Sequence, residues 1–233
     1  MFDLELPCFD EPIGLFPLPN VVLLPGGTQP LQVYEPRYRA LVQDALRGQE
    51  VIGMALLRPG YEAAYYTNHA KIRPIVCVGR IREHVRVPDG RYLLNLAGLC
   101  RARIREEDRE GEYRTALLEP MIPAGDAVTS DGECAARDLL RRIIRLPGFD
   151  DLPDAAECRE LLDRDAPLGP LVDRIAAELL PRDAVEIRQH LLEEMDVLRR
   201  AGTLLTELHV LHQKLSLRRF LRDESGRPPA SVN

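Results

Sequence analysis

Tryptophan is missing from this chain, the only lysines are Lys71 and Lys214, and the only serines are Ser130, Ser216, Ser225 and Ser231. These scarcities remove whole classes of chemistry. None of the serines stands in a G-x-S-x-G elbow. Lys214 and Ser216 fall near the end of a predicted helix, where positions two apart point to different faces, so they do not read as a catalytic dyad. The chain has no G-x4-G-K-[ST], no G-x-G-x-x-G and no H-E-x-x-H. A phosphate-cradling loop, a dinucleotide fingerprint and a zinc-protease helix are thereby absent from the sequence. The five cysteines contain no CxxC pair. A zinc site of local spacing is not expected, and the cysteines read as small buried apolar residues in a reducing compartment. His209 and His212 share a helical face with no acid or cysteine to complete a ligand set, and Glu186 with His190 reads as an exposed pair. No metal, cofactor or catalytic set is expected, so the chain does not read as an enzyme.

No apolar run reaches the ~18 residues of a membrane span. The opening MFDLE carries acids where a secretory signal carries lysine or arginine. The expectation is a cytoplasmic protein with no membrane partner. Net charge is −6, with acids and bases interleaved. A nucleic-acid binder needs a basic face to meet phosphates. The one compact basic cluster of the first half, Arg101, Arg103 and Arg105, runs straight into Glu106, Glu107 and Asp108. Nucleic acid is therefore not an expected partner.

What is present is a change of period. The first part reads as strands with one helix. Ile13–Leu18, Val21–Leu24 and the alternating run from Pro30 to Tyr34 are separated by Pro19-Asn20 and Pro25-Gly26-Gly27. Pro36 suits the first position of a helix whose apolar face is Tyr38, Leu41, Val42, Ala45 and Leu46, with Gly48 as a left-handed terminator. Strands resume at Val51–Leu57 and at Ile75–Ile81. A hairpin turns through Val87-Pro-Asp89-Gly90, and a last strand covers Glu112–Met121. Helices follow at Glu133–Leu146, Asp154–Asp163 and Leu168–Leu180. Asp183 and Glu186 have capping-box spacing for the next helix, which buries Val185, Leu191, Leu192 and Met195. Asp196 caps a long final helix with a stripe at Leu198, Ala201, Leu205, Leu208, His212 and Leu215. The reading is α+β: a small strand-rich barrel or sandwich in 1–125, a helical bundle in 126–222 and a disordered tail in 223–233.

Three segments resemble the Lon N-terminal, or LON substrate-binding, domain family. The first is LFPLPNVVLLPGGTQPLQVYEPRY (15–38), with Pro25, Gly26, Pro30, Leu31, Glu35, Pro36, Arg37 and Tyr38. The second joins VGRI (78–81), PDGRY (88–92) and GLCRARI (98–104), with Gly79, Asp89, Gly90, Gly98 and Arg101. The third joins Leu180-Pro181, IRQHLLE (187–193) and DVLRR (196–200). The resemblance spans about residues 13–215. It implies a PUA-like small β-barrel with one inserted helix, followed by a helical bundle. It also implies a stand-alone bacterial member without ATPase or peptidase domains.

The matched residues read first as structural. Glu35 and Arg37 anchor a helix start and pair within the fold; Gly98 marks a bulge or close backbone approach; Arg101 bridges to an acid across the barrel. The loop from Arg58 to Lys71 differs. It carries Tyr61, Tyr65, Tyr66 and His69, and tyrosines offer large contact area at low entropy cost. Peptide binding and local packing both fit it. The functional expectation is a protein- or peptide-binding module whose partners include a protease or chaperone. It would bury an extended or apolar segment at the junction of barrel and bundle. The alternatives are an RNA-binding PUA-like module and a small-molecule-binding or hydrolytic domain. Oligomeric state and partner identity are not in the sequence.

Overall fold

The computed structural model describes residues 6–121 and 131–225. The chain divides into two compact units, one of Met1–Ala127 with Pro181–Asp196, the other of Val128–Leu180 with Val197–Asn233. The helical stretch of the sequence reading is therefore not one block, because 181–196 groups with the strands.

The first unit is built on a six-stranded sheet of β1 (Ile13–Leu18), β2 (Thr28–Val33), β3 (Val51–Leu56), β4 (Ile75–Arg86), β5 (Tyr92–Asp108) and β6 (Thr115–Pro120). The order is β2-β5-β4-β3-β1-β6, and β6 also pairs with β5, so the pairings return on themselves. β1 and β3 run parallel; the other pairs are antiparallel. Every residue of β3 is buried. This explains why it reads as an unbroken apolar run rather than an alternation. β2 pairs on one side only among the described residues, and it alternates towards solvent, as an edge strand with Pro30 should. The expected hairpin joins β4 to β5, with Gly90 at φ 85 in its turn. Val21–Leu24 forms no strand: Val22, Leu23 and Leu24 are buried loop residues.

The loop's backbone is what the glycine of the second motif accommodates. A Cβ on Gly98 would stand 2.2 Å from the Leu24 carbonyl oxygen, and Gly98 exchanges backbone hydrogen bonds with Gly26 and Gly27, each 2.9 Å. A Cβ on Gly79, opposite Gly98 in the β4–β5 ladder, would stand 2.6 Å from the Leu96 side chain and 2.8 Å from that of Leu23.

Helix α1 (Pro36–Arg47) packs on β1 and β3 through Tyr38, Leu41 and Val42. The Phe16 and Tyr38 rings meet edge-on at 4.3 Å, a contact worth about 1 kcal/mol beyond its area. Gly48 takes φ −104 rather than the left-handed conformation; the positive φ falls on Glu50, whose N–H bonds the Ala45 carbonyl.

Helix α5 (Val185–Glu193) shows why 181–196 belongs to the sheet unit. It buries polar residues beside Leu191 and Leu192. Arg188 Nε donates to the Val22 carbonyl at 3.3 Å and Gln189 Nε2 to the Ile75 carbonyl at 3.1 Å. Arg101 donates to the carbonyls of Leu192 at 3.0 Å and Leu191 at 3.3 Å, the helix C-terminus, where a cation opposes the dipole. The expected capping box does not form: the N-cap is Ala184 without a side-chain bond, and Glu186 instead pairs with Arg73 at 2.8 Å. Val185 and Met195 are only half-buried.

The second unit contains α2 (Asp131–Ile144), α3 (Ala155–Asp163), α4 (Leu168–Leu179) and α6 (Val197–Ser225). Its core face on α6 is Ala201, Leu204 and Leu208: Ala201 and Leu208 are buried as the stripe expects, Leu204 is buried in place of the half-buried Leu205, and Leu198 is 44% exposed. Arg200 is fully buried and meets Asp173 of α4 at 3.3 Å. Three arginines of α2 and α3 do the work of caps: Arg137, Arg141 and Arg159 each donate to main-chain carbonyls, of Arg164, Leu162 and Ile144 respectively. α6 runs to Ser225, so 223–225 of the expected tail are helical; residues 226–233 lie outside the described ones. No helix among the described residues is long and apolar enough to cross a membrane. Of the cysteines, Cys77 and Cys158 are buried as expected, but Cys8 and Cys134 are exposed.

Candidate functional site

The β3–β4 connection is clamped, and the clamp begins at the motif EPRY. Glu35 is the N-cap residue of α1 in extended backbone, and its carbonyl accepts the N–H groups of Tyr38 and Arg39. Its carboxylate is thus free to hold Arg37, whose Nε donates to Glu35 Oε2 at 3.0 Å. The rest of the guanidinium fork reaches the loop: Nη2 donates to the Tyr65 carbonyl at 2.9 Å and Nη1 to the Thr67 carbonyl at 3.1 Å. Only arginine offers donors in a fixed fork that can serve a carboxylate and two carbonyls at once. Its face also lies over the Tyr38 ring, 4.4 Å from the centroid.

Three further clamps hold the same loop. Arg114, fully buried and paired with Glu107, donates through Nη1 to the Ala70 carbonyl at 2.6 Å. Asn68 Nδ2 donates to the carbonyls of Gly111 at 2.9 Å and Arg109 at 3.2 Å, in the β5–β6 turn. At the base, Arg58 bonds Lys71 through its N–H at 2.8 Å and Ile72 through Nε at 3.0 Å. Inside the loop, a single 3-10 turn at Glu62–Ala64 is closed by the Ala64 N–H on the Tyr61 carbonyl. Backbone polar groups that a loop would leave to water are thereby satisfied by side chains.

The tyrosines divide by role. Tyr61 and Tyr65 pack, with Ala64, against the core cluster of Ile13, Leu15, Leu57, Ala70, Ile72 and Leu118. Tyr66 stands 82% exposed, its ring edge-on to Tyr65 at 5.0 Å. Tyr34, at the end of β2, is 61% exposed. Burial above all, then the neighbouring Glu35 and Tyr34, raise the Tyr65 phenol above its ordinary pKa. Burial does the same to Tyr38, against the opposing pull of Arg37. These phenols are neutral near pH 7 and act as apolar faces carrying a hydrogen-bonding hydroxyl. His69 is exposed beside them, its N–H on Thr67 Oγ1 at 3.1 Å. The cluster thus presents aromatic faces and hydroxyls on a clamped loop.

The structure thus brings together residues that the sequence left apart. Glu35, Arg37 and Tyr38 join the loop of Tyr61, Tyr65, Tyr66 and His69. Pro25 and Gly26 lie with Gly98 in the β2–β5 entry, Pro30 and Leu31 on β2, and Asp89 with Gly90 in the β4–β5 turn, all outside the clamp. Asp89 there binds Arg91 at 2.7 Å. Sequence reasoning missed Tyr34 and Arg114. The first had a signal, since it follows a buried Val33 in an alternating strand and so must face outward. The second had none.

The model of the "ATP-dependent protease La (LON) substrate-binding domain" matches residues 13–210. The chain belongs to this family. The Lon protease of Anaeromyxobacter dehalogenans strain 2CP-C is 30% identical over 211 residues, and Lon protease 2 of Myxococcus xanthus is 30% identical over 209. Each match covers 88% of this chain but 24% of the relative, so the chain spans about a quarter of these proteases' length. Among solved structures, a Lon N-terminal domain protein from Xanthomonas campestris is 27% identical at a TM-score of 0.60, over 84% of this chain and 98% of that one. The N-terminal domain of the Mycobacterium avium complex Lon protease has a TM-score of 0.63 at 18% identity, a likeness of fold, over 85% of this chain and 98% of its own. The LON-domain fold here is accordingly a sheet plus helices.

Proposed function

We propose that this LON-family chain is a non-catalytic module that binds protein segments, with the tyrosine platform of the β3–β4 loop as its contact surface. The observation that carries the reading is the clamp. Tyr34, at the end of β2, stands near Tyr65, which with Tyr66 sits on a loop whose backbone is held by Arg37, Arg114, Asn68 and Arg58. A loop ordered beforehand loses little entropy on binding, and exposed tyrosines give broad, chemically tolerant contact. Such a surface suits unfolded segments that differ in sequence. The family's printed description as a substrate-binding domain supports the same reading. The closed set of strand pairings supports regarding the sheet as a PUA-like barrel, and the role as that of an adaptor presenting clients for proteolysis or to a chaperone.

The test is binding of the whole chain to a permanently unfolded, carboxymethylated protein, measured by fluorescence anisotropy against the native form of the same protein. Selective, saturable binding of the unfolded form that Tyr66→Ser weakens supports the reading. Equal indifference to both forms, or binding only to RNA in the same assay, refutes it.

A further inference from the structure

Helix α6 carries two apolar stripes on opposite sides. One, Ala201, Leu204 and Leu208, is fully buried in its own unit. At 100° per residue, Val210, Leu217 and Leu221 fall on the far side, flanked by Phe220. Leu217, Phe220 and Leu221 are 59%, 57% and 55% exposed, and every residue from Ser216 to Leu221 is exposed. A helical surface that leaves three large apolar side chains in water gains nothing from its own unit's core.

The charge around this stripe is one-sided. From Leu208 to Arg222 there is no acid, in a chain of net charge −6. Lys214 and Arg218, four residues apart, form one edge of the stripe; Gln213 and Phe220 form the other. Two copies of the helix run antiparallel would set each Lys214–Arg218 edge against its own like. Run parallel, they would set it against the edge of Gln213 and Phe220, which carries no acid between Leu208 and Arg222. A bilayer would have to take up Gln213, which lies between Leu217 and Phe220 around the helix and whose side chain meets that of His209 at 3.3 Å. A partner helix satisfies all three features, because it can bring leucines to the stripe, carboxylates to the basic edge and a polar side chain to Gln213, as a polar residue in a helical seam fixes register.

We propose that the outer face of α6 from Val210 to Leu221 docks an acidic amphipathic helix of a partner protein, independently of the tyrosine platform.

The probe is a synthetic helical peptide with leucine along its seam and glutamate on its flanks, titrated into the full chain and read by anisotropy. A twin peptide carries lysine for glutamate. The glutamate peptide should bind, and Leu217→Ser with Phe220→Ser should weaken it about tenfold or more. Lys214→Glu with Arg218→Glu should lose the glutamate peptide and gain the lysine peptide. These positions are exposed, so circular dichroism should be unchanged. Tyr66→Ser should leave peptide binding as it is, which separates this surface from the client site. Binding indifferent to the charge swap overturns the proposal. So does retention on phosphatidylglycerol vesicles, or a dimer in sedimentation velocity, that the Leu217→Ser, Phe220→Ser variant abolishes.

Discussion

Arg37 Nη2 donates to the main-chain carbonyl of Tyr65 at 2.9 Å, across 28 residues of sequence. This bond makes the motif that opens α1 and the aromatic loop after β3 a single device. Arg37 is almost buried, its side chain 12% exposed, and Glu35 neutralises it. Replacing it with lysine keeps the charge but not the fork. Arg37→Lys should cost about 1–2 kcal/mol of stability, seen in urea unfolding. It should also speed amide exchange from Ala64 to His69 without melting the sheet. Exchange unchanged in that segment would mean the loop is held without Arg37.

Two glycines make opposite cases. Gly98 has the Leu24 carbonyl 2.2 Å and Cys77 Sγ 3.3 Å from where a Cβ would lie, and the nearer obstacle is backbone. Gly98→Ala should destabilise by about 3 kcal/mol or abolish folding. Gly202, within α6, has nothing within 4 Å of its Cβ position. Gly202→Ala should stabilise by roughly 0.5–1 kcal/mol, because a helix interior favours alanine. Thermal unfolding of the pair checks both signs.

Tyr66 separates binding from stability. At 82% exposure its loss should change the unfolding free energy by less than about 0.5 kcal/mol. The same Tyr66→Ser change should weaken capture of unfolded protein several-fold if the ring is a contact. An unfolding midpoint that falls as steeply as binding would make Tyr66 a packing residue instead.

Alkaline sensitivity that sets in near pH 9, below the range of the raised Tyr38 and Tyr65 phenols, should trace to Cys100 and Cys158. Burial pushes Cys100 from an ordinary 9.0 to about 11 and Cys158 to about 12. A raised pKa in an acid means that the folded state keeps its proton while the unfolded state has lost it. Stability from these groups is therefore fully present below pH 9 and declines as pH rises through 9 towards 11 and 12. In Cys158→Ala, the slope of stability against pH should flatten above pH 9. A slope identical to that of the wild type would place the sensitivity elsewhere.

The buried pair of the helical unit gives a last test. Asp173 and Arg200 are 6% and 0% exposed at 3.3 Å. Asp173→Ala leaves a buried guanidinium without that carboxylate and should cost about 3–5 kcal/mol, read by chemical denaturation.

Several elements were legible because their causes are local. Pro36 before an apolar 3–4 stripe, Asp89-Gly90 between two alternating runs, and the unbroken apolar Val51–Leu57 each name their element by period or turn chemistry. The errors fall where a local signal competed with a distant partner. Asp183 and Glu186 have the spacing of a capping box, yet Glu186 is taken by Arg73, 113 residues away. Leu198 fits the α6 stripe by spacing, but the core lies towards Ala201 and Leu204.

By itself, then, the sequence determined the strand-then-helix order, the family and the identity of the tyrosine loop, because periodicity, turn residues and motif spacing are written along the chain. Only the tertiary structure decided that α5 belongs to the sheet unit and that EPRY clamps the aromatic loop. The reason is physical. Arg37, Arg101, Arg114, Arg188 and Gln189 all spend donors on main-chain carbonyls. Every residue carries such a carbonyl, so nothing in the partner's identity marks the bond in advance.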